Sequence, residues 1–105
     1  MVILNAFSLN MVAVPATIRV REVSTEEAAR IAASSTSSFS AVGHEGTAAV
    51  FTGMLGIPVA FNRVSVKLPA GASALVGQHI GPRLPEGATE LPPGASIVWL
   101  LVEVD

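Results

Sequence analysis

Hydrophobic residues recur along the chain at two spacings, which predict strands in some segments and helices in others. An apolar run at residues 2–7 is typical of a buried strand, and residues 17–23 alternate as a half-buried strand does. Three more strands are predicted at residues 63–68, 74–80 and 97–104, which are separated by segments rich in proline and glycine. The last of these runs is apolar enough to be a central strand.

A capping sequence predicts where the first helix begins. Ser24 is followed three residues later by Glu27, so the serine hydroxyl can accept from the third helical amide while the glutamate reaches back to the cap. We therefore expect a helix over residues 24–33. The serine-rich tract at residues 34–38 competes for backbone hydrogen bonds, which favours a loop.

Helical spacing returns in the middle of the chain. Ala48, Phe51 and Leu55 recur on one side of a helix, and Gly56 supplies a C-terminal stop. The pattern predicts a second helix that begins close to His44.

Together these elements predict one α/β domain over residues 1–105, with a mixed five-stranded sheet and two main helices packed against it. The expected order is two strands, two helices and three strands. Two similar segments, at residues 84–88 and 91–95, are interpreted as two similar turns.

Composition and charge narrow the function classes. Six basic and eight acidic residues give a net charge of −2, which argues against binding to genomic DNA but leaves a small anionic ligand possible. The chain begins without the features of a signal peptide and has no apolar run long enough to cross a bilayer, so we expect a soluble cytoplasmic protein without a membrane partner. With no cysteine, one aspartate and no histidine pair at ligand spacing, neither a metal nor a cofactor is expected.

His44 is the strongest candidate for chemistry, because glycines flank it at the predicted start of a helix. Backbone amides at Gly43, Gly46 and Thr47 are expected to bind a phosphate there, and an imidazole beside that phosphate can protonate a departing oxygen. The alternative is that His44 only caps the helix or packs at a turn.

Further candidates lie near the ends of predicted strands. Arg83 and Glu86 share a rigid turn, where the arginine can bind a phosphate and the glutamate can orient a hydroxyl, water or histidine; the alternative is an exposed ion pair. Ser8 and Asn10 follow the first strand and either contact a ligand or form a local turn. His79 lies beside Gln78 in a strand, so the two side chains face opposite sides of the sheet; a lone strand histidine is more often structural.

Three segments of the sequence, in this order and spacing, resemble the viral ring nuclease family, an anti-CRISPR group. They are NAFSLNM at residues 5–11, VGHEGTA at 42–48 and RLPEG at 83–87, and NRVSVKL at 62–68 also matches the family's strand pattern. The resemblance implies a homodimer that encloses cyclic tetra-adenylate, the second messenger of type III CRISPR defence, and cuts it to linear di-adenylates ending in a 2′,3′-cyclic phosphate. A ring of four identical nucleotides can share its twofold axis with such a dimer.

The same resemblance implies a role for each candidate residue. His44 would be the general acid that protonates the 5′ oxygen while the substrate's own 2′ hydroxyl attacks the phosphorus, without a metal. Arg83 would stabilise the charge, and Glu86 would position the reacting hydroxyl or the histidine. Ser8 and Asn10 would bind the ligand.

Two functions of other classes compete with this hypothesis. The first is a module that sequesters a cyclic nucleotide or a host protein without cutting it, and the second is a structural or interaction protein of a virus. Loss of activity in a His44→Ala variant would separate a nuclease from a binder, and stabilisation by cyclic tetra-adenylate would argue against the interaction protein.

Overall fold

The centre of the molecule is a mixed five-stranded sheet, in a computed structural model that describes residues 1–35 and 38–105. The strands are β1 (Val2–Leu4), β2 (Ile18–Val23), β3 (Phe39–Ser40), β4 (Ser73–Ile80) and β5 (Ser96–Val104). Their order across the sheet is β2-β5-β4-β1-β3. Strand β1 runs parallel to β3 and β4, and β5 runs antiparallel to β2 and β4. The predicted interior position of the C-terminal strand is confirmed, because β5 has a neighbour on each side.

Helix α1 spans Thr25–Ser34 and begins as the capping sequence predicts. The Ser24 hydroxyl accepts a hydrogen bond from the Glu27 amide at 3.0 Å. The Glu27 carboxylate does not turn back to the cap, because it accepts a hydrogen bond from Arg21 of β2 at 3.1 Å. The first half of the predicted capping pair is therefore present, and the second half is replaced by a bond that ties the helix to the sheet.

Helix α2 spans Glu45–Leu55, close to its predicted bounds. Gly56 ends the helix in a left-handed conformation with φ of +72°, and its amide donates to the Thr52 carbonyl at 3.0 Å. A residue with a side chain is strained at this φ, so glycine suits the stop.

Alternate residues of the strands build two hydrophobic clusters, one on each face of the sheet. The cluster under the helices includes Ile3, Val23, Ala28, Ala32, Val42, Ala48, Phe51, Leu55, Leu75 and Trp99. On this face the rings of Phe51 and Trp99 lie 4.7 Å apart, over Gly77, where a Cβ would collide with both rings. The cluster on the other face includes Val2, Leu4, Val12, Ala41, Leu68, Ala74, Val76, Val102 and Val104.

The predicted strand at residues 63–68 is wrong, and β3 takes the place of the fifth strand. Residues 63–68 lie across the face opposite the helices, where Leu68 is buried and its amide donates to the Met11 carbonyl at 2.6 Å. The expected order of elements is corrected accordingly, because β3 lies between the two helices. Of the predicted serine loop at residues 34–38, Ser34 belongs to α1, and residues 36–37 lie outside the described residues.

The two similar segments after β4 form two turns of one kind, as predicted. The Ala88 amide donates to the Pro85 carbonyl at 3.0 Å, and the Ala95 amide donates to the Pro92 carbonyl at 3.1 Å. Each turn has a glycine with positive φ at its third position, as in type II turns. No helix within residues 1–35 and 38–105 has the length and hydrophobicity needed to cross a membrane.

Candidate functional site

One edge of the sheet brings together the carboxyl ends of parallel strands and the beginning of a helix. Because β1 and β4 are parallel, Asn5 after β1 and His79 near the end of β4 lie at the same edge. The amide of Gly43, just before α2, donates to Asn5 Oδ1 at 3.3 Å and holds the helix start there. A pocket of about 230 Å³ at this edge is lined by Asn5, His44, Thr47, His79, Arg83 and Leu84. Open α/β sheets commonly bind ligands at such an edge.

His44 is both the N-cap of α2 and a wall of the pocket. Its Nδ1 accepts a hydrogen bond from the Thr47 amide at 3.1 Å. An amide can only donate, so the neutral imidazole carries its hydrogen on Nε2. Since the side chain is exposed, this second nitrogen is free to donate to a ligand. The capping role that was the alternative interpretation is confirmed, and it leaves Nε2 as the ring nitrogen that can reach a ligand.

The Thr47 hydroxyl gives His44 Nδ1 a second neighbour, at 3.0 Å. A hydroxyl can donate or accept, whereas the amide at the same nitrogen can only donate. If Nδ1 also takes a hydrogen, the hydroxyl can turn and accept it. The Thr47 hydroxyl therefore suits both the neutral and the doubly protonated state of the ring, whereas the Thr47 amide bonds only to the neutral ring.

Two predicted glycines shape the surroundings of His44. A Cβ at Gly46 would lie 2.7 Å from Leu84 Cδ2 and 2.9 Å from the Ala88 carbonyl oxygen, so only glycine lets the segment after β4 approach the helix. Gly43 is in contact with the Arg63 side chain, where a Cβ would be 3.4 Å from Arg63 Cγ. Close packing requires glycine only at position 46, because a Cβ at Gly43 would make an ordinary contact with Arg63. The amides of Gly43 and Thr47, which were expected to bind a phosphate, already donate to Asn5 Oδ1 and His44 Nδ1.

Arg83 brings a fixed positive charge to the pocket. It lies on an exposed segment after β4, beyond Gly81, which has φ of +97°. The expected alternative, an ion pair with Glu86, does not form: in the part of the chain that the structure describes, the ion pairs join Arg19 to Asp105 and Arg21 to Glu27. The guanidinium is therefore available to an anion, and the pocket lining within the described residues contains no carboxylate.

Of the predicted site residues, Gly43 and Gly46 flank this pocket without lining it, and three others lie away from it. Glu86 is exposed on the first of the two turns. The Ser8 hydroxyl caps the short 3₁₀ helix Leu9–Met11 by accepting from the Asn10 amide at 3.2 Å, which is the local turn given as the alternative. Asn10 accepts from Lys67 through its carbonyl at 2.9 Å, and with Ser8 it lines a separate pocket of about 310 Å³. Their predicted part in ligand binding stays a prediction.

Asn5, to which the sequence pattern assigns no role, and His79, for which it favours a structural role, both line the pocket. A polar residue directly after a buried strand was the available signal for Asn5. For His79 the signal was strand alternation: Gln78 faces a neighbouring pocket of about 310 Å³ on the other side of the sheet, and His79 faces the His44 pocket. The predicted opposite orientation of these two side chains is thus confirmed.

Among residues 1–35 and 38–105, no three His, Asp or Glu side chains form a group that could hold a metal ion. The polar side chains that line the pocket carry imidazole, hydroxyl, amide and guanidinium groups.

The whole fold is similar to that of a known viral protein. Among solved structures, B116 of Sulfolobus turreted icosahedral virus (STIV) matches with a TM-score of 0.81 and 27% sequence identity, over 97% of each chain. No curated protein sequence matches the chain. A family model described as STIV B116-like matches residues 1–92. The chain therefore belongs to the STIV B116-like family, a viral protein family.

Proposed function

We propose that this protein is a ring nuclease that cleaves cyclic tetra-adenylate to linear di-adenylate with a 2′,3′-cyclic phosphate, and so switches off type III CRISPR signalling. The observation that carries the proposal is the meeting of His44, Thr47 and Arg83 in one pocket. These residues come from two of the three segments through which the sequence resembles the viral ring nucleases.

The groups of the pocket match the needs of a phosphodiester. Arg83 supplies a charge and up to two parallel hydrogen bonds to phosphoryl oxygens, and His44 supplies a hydrogen bond from Nε2. The first amides of α2 add a favourable dipole at the same place. Without a carboxylate among the described lining residues, nothing in the pocket repels the anion.

The size of the pocket limits what it holds. Ligand sites for drug-sized molecules measure about 300–1,000 Å³, so a pocket of about 230 Å³ fits one phosphate with part of its nucleotide rather than the whole ring. The remaining nucleotides must lie outside it. We therefore propose a homodimer in which each subunit holds one of two opposite phosphates.

Each cleavage step needs no reactant other than the substrate, the protein and protons exchanged with solvent. The substrate 2′ oxygen bonds to phosphorus and its hydrogen passes to solvent, while the bond from phosphorus to the 5′ oxygen breaks. The doubly protonated ring of His44 gives its Nε2 proton to the 5′ oxygen and becomes neutral, and it regains a proton from solvent before the next cut. Because nucleophile and phosphate belong to one molecule, the protein mainly has to align them in line and stabilise the charge through Arg83.

Glu86 has a weaker structural basis in this proposal. Its turn is exposed and its side chain does not line the pocket. We assign the proton transfer to His44 and the charge stabilisation to Arg83, and the proposed positioning of the 2′ hydroxyl or the histidine by Glu86 requires its turn to approach the bound ring.

The decisive experiment incubates the purified protein with cyclic tetra-adenylate in the presence of EDTA and separates the products by liquid chromatography, with His44→Ala in parallel. We expect conversion to di-adenylate with cyclic phosphate by the wild type, lowered about 100-fold or more in the variant. An intact ring with the wild type would contradict the proposal. Binding without cleavage would then indicate sequestration, and absence of binding would indicate an interaction protein.

A further inference from the structure

We infer that His79 is a second ligand-contacting residue of the His44 pocket and donates a hydrogen bond from Nδ1 to a phosphoryl oxygen of the substrate. The inference rests on the proposed function and adds a binding residue to it. The chain has two histidines, and the fold brings both to the same pocket from different elements, His44 from the start of α2 and His79 from β4.

The two ring nitrogens of His79 lie in different surroundings. Nε2 is buried and has no hydrogen-bond partner among the described residues. Nδ1 is not buried in this way, while the side chain as a whole is half buried and lines the pocket. Nδ1 is therefore the nitrogen that a ligand can reach, and Nε2 faces the protein interior.

This burial selects one tautomer of the neutral ring. A hydrogen on Nε2 would be a buried N–H without an acceptor, which folded proteins avoid more strictly than an unmatched acceptor. The hydrogen therefore belongs on Nδ1, where it faces the pocket. The neutral ring of His44 has its hydrogen on Nε2 instead, because Nδ1 accepts from the Thr47 amide.

The pocket thus presents N–H donors from three side chains to one ligand. His44, His79 and Arg83 supply them, and the described lining residues include no carboxylate to compete for them. Three donors that line one pocket, of which one is always charged, fit a phosphodiester group better than a neutral base or sugar hydroxyl. His79 is accordingly assigned to holding the phosphate, while the proton transfer stays with His44.

Amide side chains distinguish this role from a structural one. In asparagine the amide nitrogen is attached to Cγ, as Nδ1 is in histidine, so His79→Asn keeps a donor near the same place. In glutamine the amide nitrogen extends to the position of Nε2, so His79→Gln fills the buried position and leaves the Nδ1 position empty. His79→Leu removes both nitrogens.

The experiment measures kcat and KM for cleavage of cyclic tetra-adenylate by the wild type and the three variants. A parallel titration measures Kd for the intact ring in a His44→Ala background. We expect His79→Leu and His79→Gln to raise KM and Kd about 10-fold or more with kcat nearly unchanged, because a phosphate contact serves ground state and transition state alike. His79→Asn is expected to stay within about threefold of the wild type.

The outcomes separate this inference from the proposed function. Cleavage by the wild type with KM and Kd unchanged in His79→Leu, or raised equally in His79→Asn, would overturn the role of His79 alone. Binding of the ring by the wild type without cleavage would overturn the nuclease, while the Kd series would still decide on His79. Absence of binding would overturn both. Thermal unfolding of each variant identifies a folding defect. If His79→Leu does not fold, the comparison of His79→Gln with His79→Asn decides whether His79 contacts the ligand.

Discussion

The two helices begin in different ways, although both lie on the same face of the sheet. Helix α1 is capped by Ser24, whose hydroxyl accepts from the Glu27 amide, and two glutamates follow in its first turn. Helix α2 is capped by His44, an unusual N-cap residue, whose Nδ1 accepts from the Thr47 amide. Serine is among the best residues for an N-cap, and acidic residues in the first turn favour the helix dipole.

The start of α1 serves stability alone, whereas the start of α2 also supplies a residue of the pocket. At α1 the serine satisfies an amide, and Glu27 ties the helix to Arg21 of β2. At α2 the imidazole satisfies an amide with one nitrogen and leaves the other exposed in a pocket beside Arg83. Serine in place of His44 would satisfy the same amide, but it would leave no imidazole for proton transfer.

The largest expected effect separates the two tasks of His44. His44→Asn keeps an N-cap acceptor but removes the imidazole, so cleavage of cyclic tetra-adenylate should fall about 100-fold or more with little loss of stability. His44→Ala should lose both, with the free energy of unfolding lowered by about 1 kcal/mol. Rate measurements and denaturant titrations on the two variants check this. Full activity in His44→Asn would show that His44 only caps the helix.

A smaller effect is expected at Thr47, where a substitution can remove the side-chain hydroxyl and keep the backbone amide. Thr47→Val keeps the amide bond to His44 but removes the acceptor for a hydrogen on Nδ1, so kcat should fall about 10-fold, the scale of one hydrogen bond, with KM unchanged. Steady-state kinetics with Thr47→Ser as the matched control test this. If Thr47→Val and Thr47→Ser both keep the wild-type kcat, the hydroxyl has no part in the reaction.

The smallest effect is expected at the start of α1. Ser24→Ala removes the acceptor for the Glu27 amide and should lower the free energy of unfolding by about 1 kcal/mol, while kcat and KM stay unchanged. Denaturant titration and the cleavage assay together measure this, and Ser24→Asp, which keeps a capping acceptor, should recover the stability. A loss of activity beyond the loss of folded protein would mean that α1 also supports the site.

The predictable part of the fold depends on local rules. The start of α1 at Ser24 and the stop of α2 at Gly56 follow from capping chemistry. The strands β4 and β5 follow from apolar runs, whose side chains enter the clusters on both faces of the sheet. Residues 63–68 alternate between polar and apolar but do not join the sheet. Their apolar side chains cover a sheet face while their backbone bonds elsewhere, and alternation reports burial of one side rather than pairing.

The site was predictable as far as it depends on single residues. Glycines around a histidine at a helix start indicate His44, and the arginine in a rigid turn indicates Arg83. The convergence of Asn5 and His79 on them depends on the parallel pairing of β1 with β4, a long-range contact that no local pattern encodes. The position of Glu86 outside the pocket likewise depends on long-range packing, whereas the turn that Ser8 caps is local and matches one of the two interpretations of that segment.

The packing of Trp99 on Phe51 gives the molecule a built-in optical probe. Trp99 is the sole tryptophan and the chain has no tyrosine, so near-ultraviolet emission comes from one buried indole. Trp99 pairs with Gly77 across the strands, one step along the same face from His79. Excitation at the red edge of the indole band, beyond adenine absorption, therefore reports on the core directly beneath the pocket while the ligand is present.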